Sequence, residues 1–404
     1  IYPDSKNTAV LREFIDSMIS IIKEYKIDVI VPGCGIEEAK CLSILKTEVA
    51  KLDLHCNVLI DDENIVSQLD DKDRFFDMFN ERDIVGDFQL SGVNIKQAMN
   101  EYYKNQNNSD VIFPFSVKFT NKARLMKFIE NENLLVNSID NGYKYILKRI
   151  VLSNNRNEHI IRLPTANKYL LDNIIVNENE PWILQDYING NDVAAFIYTD
   201  NGDIKVYCDS ICCDACVNYY PINNSDIKEW LSIKCNKFNL TGLMCFDLIE
   251  RDNKYYILEC NPRPHSLTTL MKDPVWIKPL MDNNSDTQYI YDNAEHVFWL
   301  FHEILRICGV LNMFPAKYDQ ANIMNKLYRK DKPYVSIDEF GYINFNIKDV
   351  LVGRDAVLNV YDPWPVIVSH MIHMPKLIIH QIFKGCNGWS VFDMCIVKLV
   401  LNEL

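Results

Sequence analysis

The stretch "YYILECNPRPHS", residues 255–266, decides how this chain is read. Tyr255 to Asn261 alternates as a β-strand does, so Leu258 and Cys260 face one way while Ile257, Glu259 and Asn261 face the other. A carboxylate and an amide therefore share one face of an otherwise core-like strand. Burying a carboxylate is costly without a cation or a proton, so something is expected to bind there. The prolines on either side of Arg263 stiffen the exit from the strand.

Just upstream, "LMCFDLIE" (243–250) is an apolar strand interrupted by Asp247, and "RDNK" (251–254) makes the turn. A three-residue loop at Asp252–Lys254 sets Asp247 directly opposite Glu259, whereas a two-residue loop sets it opposite Leu258. The first register gathers Asp247, Glu259 and Asn261 on one face. Three hard oxygen donors with room for water suit Mg²⁺, whose octahedral shell is usually completed by substrate phosphates.

Around this hairpin the composition is that of a globular chain, with 404 residues and 48% hydrophobic content to build packed cores. The most apolar run, "PVIVSHMIHMPKLIIHQIF" (365–383), carries three histidines and a lysine and reads as an amphipathic or buried helix rather than a membrane span. A net charge of −13 argues against a nucleic-acid partner held by phosphate neutralisation. Thirteen cysteines, an odd number, with no signal-peptide pattern suggest reduced thiols and a cytoplasmic location. The chain begins "IYPDS" without Met, which fits an engineered boundary, a cleaved product or a piece of something longer.

Along the chain, a helical pattern at 11–27, the strand "DVIVP" (28–32), a helix at 36–52 and the strand "CNVLI" (56–60) alternate as in a parallel α/β sheet. A helix starts at "DKDRFFDMFNERD" (71–83), and "KNQNNSD" (104–110) reads as a loop. The next unit is strand-rich, with "YKYILKRI" (143–150), "WILQDYI" (182–188) and a long hairpin turning at "TDNGD" (199–203), and with helices near 165–174 and 225–238. That mixture suggests α+β. Farther on, "AEHVFWLFHEILRICGV" (294–310) reads as a helix and "VSIDEFGYINF" (335–345) as a hairpin. The "CDAC" at 213–216 invites a zinc reading, but no second pair stands at a finger-like spacing and buried thiols are expected instead.

Taken in order, these motifs resemble the ATP-grasp superfamily of ATP-dependent carboxylate–amine ligases. An Asp in one strand followed by "ECNPRP" in the next looks like that family's metal-binding end. "DDKDRFFDMF" resembles the helix whose lysine, Lys72 here, reaches the nucleotide phosphates, and "YKYILKR" the strand carrying the second phosphate lysine, Lys148. "WILQDYINGND" resembles the hinge that reads adenine and holds the ribose, which by position implies Gln185, Asp186, Ile188 and Asp192. "IDVIVPGCGIEEA" (27–39) resembles the end of the preceding N-terminal domain. One departure stands out: "RIVLSNNRNEHIIRLP" (149–164) lacks the glycines of the usual phosphate loop, and Arg156 or Arg162 is placed to substitute for it. The C-terminal "YDPWPVIVSHMIHMPKLIIHQIF" and "NGWSVFDMCIVKLV" are more faintly similar to a branch that includes mycosporine-glycine synthase.

The resemblance implies an α/β and α+β fold in four parts. These are a partial N-terminal Rossmann-like domain (1–70), a central subdomain with both phosphate lysines (71–190), a C-terminal subdomain with the metal site (191–290) and a helical extension (291–404). It implies ATP with one or two Mg²⁺, or Mn²⁺ in their place, on Asp247, Glu259 and Asn261, with Lys148 and Arg263 as catalytic groups. The partners it implies are a small-molecule acid or enol and an amine or amino acid, with no nucleic acid and no membrane, and a dimer is compatible. Two other classes stay open, a nucleotide-binding pseudoenzyme or scaffold and a kinase-like phosphotransferase that needs no amine.

Overall fold

Helix α1, Thr8–Tyr25, forms because Ile15, Ile19 and Ile22 recur at helical spacing and are buried together. It belongs to a computed structural model that describes residues 8–33, 36–80, 85–86, 95–106, 109–136, 142–150, 160–212, 218–271, 274–281, 288–292, 295–299, 353–356 and 364–368. These residues make a mixed α/β chain that divides into two units. The first comprises Ile1–Val66, Gly190–Leu248 and Asn261–Leu404, and the second Ser67–Asn189 and Ile249–Cys260.

At the start of the first unit, α1 and α2 (Ile36–Lys51) pack with the parallel pair β1 (Val29–Ile30) and β2 (Asn57–Val58). Leu42, Leu45, Val49, Val58 and Ile60 join the α1 isoleucines in one core. This is the parallel α/β alternation expected of 11–60.

Helices α3 (Glu63–Asp70) and α4 (Lys72–Asn80) follow. In the second unit α4 buries Phe75, Phe76 and Phe79, and Phe75 and Phe76 each meet Phe113. The unit's strands are β3 (Val85–Gly86), β4 (Val111–Ile112), β5 (Ser116–Phe119), β6 (Tyr145–Arg149), β7 (Ile160–Leu163) and β8 (Trp182–Asp186). Five of them form a sheet in the order β3-β5-β8-β6-β7. One face carries Val117, Phe119, Tyr145, Leu147, Ile161, Leu163, Trp182 and Leu184 into a core with Leu125 and Ile129 of α6 (Lys122–Asn131) and Leu171 of α7 (Lys168–Asn173). Met99, Tyr102 and Tyr103 of α5 (Ile95–Lys104) pack against it.

Alternation then puts the remaining strand residues on the opposite face. Ser116 pairs with Gln185, Gln185 with Ile146, and Ile146 with Arg162, making one row across four strands. Two residues along, Lys118, Ile183, Lys148 and Ile160 make a second row in the same way. The face away from the core therefore carries three cations, Lys118, Lys148 and Arg162, and the amide of Gln185.

Back in the first unit, β9 (Asn191–Asp200) and β10 (Asp203–Cys212) form the expected hairpin, with Asn201 and Gly202 at positive φ in its turn. Beside them lie β11 (Asn218–Pro221), the long strands β12 (Gly242–Arg251) and β13 (Lys254–Asn261), and the short strands β14 (Tyr289–Ile290), β15 (Val297–Phe298) and β16 (Arg354–Asp355). Helix α8 (Ser225–Phe238) is capped by the Asn224 side chain and closed by Asn239 at φ 51°. The last three residues of β12 and all of β13 but Asn261 belong to the second unit, where Tyr255 and Tyr256 pair in parallel with Val111 and Ile112.

Two anchors fix the start of β12. Asp61 Oδ2 accepts the Thr241 N–H at 2.8 Å. Gly242, at φ +124°, lies so close to the chain after β2 that a Cβ there would stand 2.8 Å from Ile60 Cα. Only glycine fits that backbone and that gap.

The helix expected over 294–310 is not what forms at its start. Val297 and Phe298 are extended, pairing with Tyr219 and Asn218 on one side and with Arg354 and Asp355 on the other. A β-branched residue followed by an aromatic makes a good buried strand, and partners distant in sequence override the local helical pattern. Residues 300–310 and the hairpin read at 335–345 lie outside the described residues, as does most of the C-terminal helix, of which Trp364–Val368 is helical. No helix of the described residues is long and apolar enough to cross a membrane.

Candidate functional site

The hairpin carrying the acids turns on two residues, not three. Asp252 and Asn253 sit at φ 55° and 60° between Arg251 and Lys254, as a tight hairpin turn requires. The loop expected at Asp252–Lys254 is thus shorter by Lys254, which is the first residue of β13. An unbroken pairing outward from such a turn sets Asp247 opposite Leu258 and sends Asn261 to the other face. Asn261 Nδ2 nevertheless donates to Asp247 Oδ2 at 3.1 Å.

In the first unit, Asn261 also receives a bond from Arg263, whose Nη2 lies 2.9 Å from Asn261 Oδ1. Arg263 is 8% exposed, and its Nε has no hydrogen-bond partner among the described residues. A buried guanidinium with an unused donor is primed for an anion. Next along the chain, the His265 ring nitrogen accepts the Leu267 N–H, and the Ser266 hydroxyl bonds to Tyr219. Burial pushes the Tyr219 hydroxyl well above its ordinary value, so it stays neutral. Asp192, the expected ribose carboxylate, lies on β9 opposite Cys212.

In the second unit, Lys72 at the first position of α4 forms an ion pair with Glu259, 187 positions later in the chain. The adjacent Asp73 forms an ion pair with Lys118 of β5. Asp73 Oδ1 also accepts the Arg74 N–H at 3.0 Å. Burial pushes Asp73 up, but its bonds with Asp71 and Lys118 together outweigh this and hold it below the ordinary carboxylate range. Burial and the bond to Asp73 push Asp71 up to about 7. Asp71 is then the member of the pair that carries the proton.

On the face of the sheet away from the core, Lys148 Nζ donates to Gln185 Oε1 at 2.9 Å, and Gln185 Nε2 donates to Ser116 Oγ at 3.2 Å. At the far end of that row, the Arg162 guanidinium lies over the rings of Tyr143 and Tyr187, at 5.5 and 5.8 Å. Arg156 falls outside the described residues, as does the "CDAC" stretch.

The other hinge residues point elsewhere. Asp186 follows Trp182 and Leu184 onto the core face, where its Oδ2 accepts the Tyr103 hydroxyl at 2.7 Å. Tyr103 in turn accepts the Phe115 N–H at 3.0 Å. Burial raises the Asp186 carboxyl, and the Tyr103 bond offsets part of that rise. Ile188 is buried with Ile112 and Tyr256. Among the hinge residues named from the sequence, Gln185 has its side chain on the cation-bearing face.

Sequence reasoning passed over Lys118, Asp73 and Tyr103. The alternation of "SVKF" already separates Lys118 from the core pair Val117 and Phe119. Its partner was hidden because Asp73 comes from a helix 45 positions away. Among the described residues no three His, Cys, Asp or Glu side chains converge as a metal site would require. The set named from the sequence includes the amide of Asn261 instead.

No protein-family model matches the chain, and no curated protein matches it. Solved structures similar to it include phosphoribosylamine–glycine ligase from Thermotoga maritima, with a TM-score of 0.39 and 13% identity over 59% of this chain and 60% of that one. Another is the biotin carboxylase domain of Hydrogenobacter thermophilus 2-oxoglutarate carboxylase, a complex with MgADP, ADP and bicarbonate, with a TM-score of 0.44 and 12% identity over 68% of this chain and 58% of that one. A third is the L-amino acid ligase from Bacillus licheniformis, with a TM-score of 0.35 and 11% identity over 62% of this chain and 52% of that one. The chain spans 60% or less of the length of each. Likeness at this level leaves the functional reading to the residues themselves.

Proposed function

We propose that the chain is an ATP-grasp ligase that activates a carboxylate or enol with ATP and couples it to an amine or amino acid, releasing ADP and phosphate. The observation that carries this reading is the ion pair between Lys72 and Glu259. Two residues singled out on independent sequence motifs, as phosphate cation and metal ligand, are partners in space. Neither motif refers to the other.

Asp247, Glu259 and Asn261 offer two carboxylates and an amide, the hard oxygen chemistry that Mg²⁺ takes. Glu259 and Asn261 stand two apart on β13, and Asp247 is bonded to Asn261. The ion would neutralise charge on the transferring phosphoryl group. The protein's own groups do the rest. Lys72 and Lys148 bind phosphate oxygens, and Gln185 both orients Lys148 and offers its amide to the nucleotide. Arg263 holds the oxyanion that develops when the amine attacks the activated acid, a role suited to a fixed and buried cation. The amine nitrogen forms the new C–N bond and loses a proton, while the C–O bond to the phosphoryl group breaks and phosphate departs with the oxygen it took from the acid.

The test is Mg²⁺-dependent ADP release measured over a panel of acids with and without amines. Turnover that needs both is the expected result, and ADP release without any amine would instead make the chain a phosphotransferase. Asp247→Asn and Glu259→Gln should each lower turnover at least 100-fold in folded protein, since each removes a charged oxygen ligand. Full activity in either variant overturns the metal assignment.

A further inference from the structure

We infer that Lys118 is a third cation for the polyphosphate chain of the nucleotide, held by Asp73 until that chain arrives. This rests on the nucleotide reading above and extends it to a residue that no motif marks. The register places it: Lys118 pairs with Ile183, and Ile183 pairs with Lys148. The two lysines therefore stand in one row of the sheet face away from the core, separated by two strand spacings, about 10 Å between backbones. Flexible four-carbon stems on both sides of Ile183 can converge on one chain of phosphates from that distance.

A plain helix-to-sheet ion pair between Asp73 and Lys118 is the competing account. Two features favour exchange. Asp73 does not depend on the lysine, because it accepts the Arg74 N–H at the start of α4 and shares a hydrogen bond with Asp71. A first-turn carboxylate is also stabilised by the helix dipole. The lysine can therefore leave without stranding its partner. The neighbouring residue repeats the arrangement, since Lys72, a cation named for phosphate, is held by Glu259. Successive residues of α4 thus contribute one cation and one anion, each engaged with an opposite charge that a metal–nucleotide complex would claim or release. With the glycines of the usual phosphate loop missing from 149–164, further fixed cations are what a polyphosphate would need.

The experiment is calorimetric titration of the full chain with MgATP and with AMP. Lys118→Met should weaken MgATP at least 10-fold and AMP less than 2-fold, because the contact is to phosphates beyond the first. Asp73→Asn should have the opposite sign, leaving MgATP unchanged or tightening it several-fold, because it releases the lysine. Lys118→Gln, which retains a hydrogen bond to Asp73 without the charge, replaces the Met variant if that one does not fold. A purely structural pair predicts that the Lys118 and Asp73 variants move together and leave the ratio of MgATP to AMP affinity as in wild type. That result overturns the inference while the nucleotide reading stands. Wild-type protein that binds neither nucleotide overturns both.

Discussion

Asp71→Asn should make the protein more stable at alkaline pH and leave it unchanged at acid pH. The Asp71 carboxyl is raised from 3.8 to about 7 by burial and by its bond to Asp73, with Arg74 pulling the other way. For a group raised on folding, the stabilisation is fully present below the ordinary value and is lost as pH rises through the folded one. The full shift would correspond to about 4 kcal/mol. The side chain is 35% exposed and water screens it, which reduces the expected loss to about 1–2 kcal/mol between pH 4 and pH 8. Asparagine imitates the protonated acid, since its N–H can replace the O–H donated to Asp73. The two proteins should then melt together below about pH 3.5, and the variant should melt about 2–5 °C higher at pH 8. Taking the difference between two melting curves at each pH cancels every other carboxylate. Parallel curves across the range, or a variant less stable at pH 8, would refute the assignment of the shared proton to Asp71.

Two further substitutions probe the frame around the site. Gly242→Ala should cost about 2–5 kcal/mol, from the strain of φ +124° and from overlap with the Ile60 backbone, and chemical denaturation reads it directly; a loss below about 1 kcal/mol would mean the two segments can separate freely. Tyr103→Phe removes one hydroxyl that serves both Asp186 and the Phe115 N–H, and should cost about 2–4 kcal/mol. Because burial raises the Asp186 carboxyl and a protonated Asp186 needs the donor less, the deficit should shrink as the pH falls into the carboxylate range, and a deficit that stays constant down to acid pH would count against that rise.

Much of the site was legible from alternation alone. Period-two spacing separated Lys148 from Leu147, and this follows from strand geometry without any tertiary information. The same rule applied to "WILQD" sends Asp186 to the face of Trp182 and Leu184, away from Gln185; position within a motif had grouped the two together. The hairpin defeated the reading for a different reason. Nothing in "RDNK" distinguishes a two-residue turn from a three-residue one, and the bond between Asn261 and Asp247 leaves no local mark. Val297 and Phe298 became a strand because their partners are Tyr219 and Arg354, and no window of neighbouring residues contains either.

The composition of the second unit also sets the order in which it can be made. Val111 and Ile112 find their strand partners in Tyr255 and Tyr256, and Lys72 finds its carboxylate in Glu259. As the chain leaves the ribosome, the segment Ser67–Asn189 can close its own five-stranded sheet, but its other strand edge and its first cation must wait for Ile249–Cys260. Between those two moments the whole of β9, β10, β11 and α8 is synthesised. A polypeptide truncated before residue 249 would keep the β6–β8 pairing while exposing β4, an edge open to another chain.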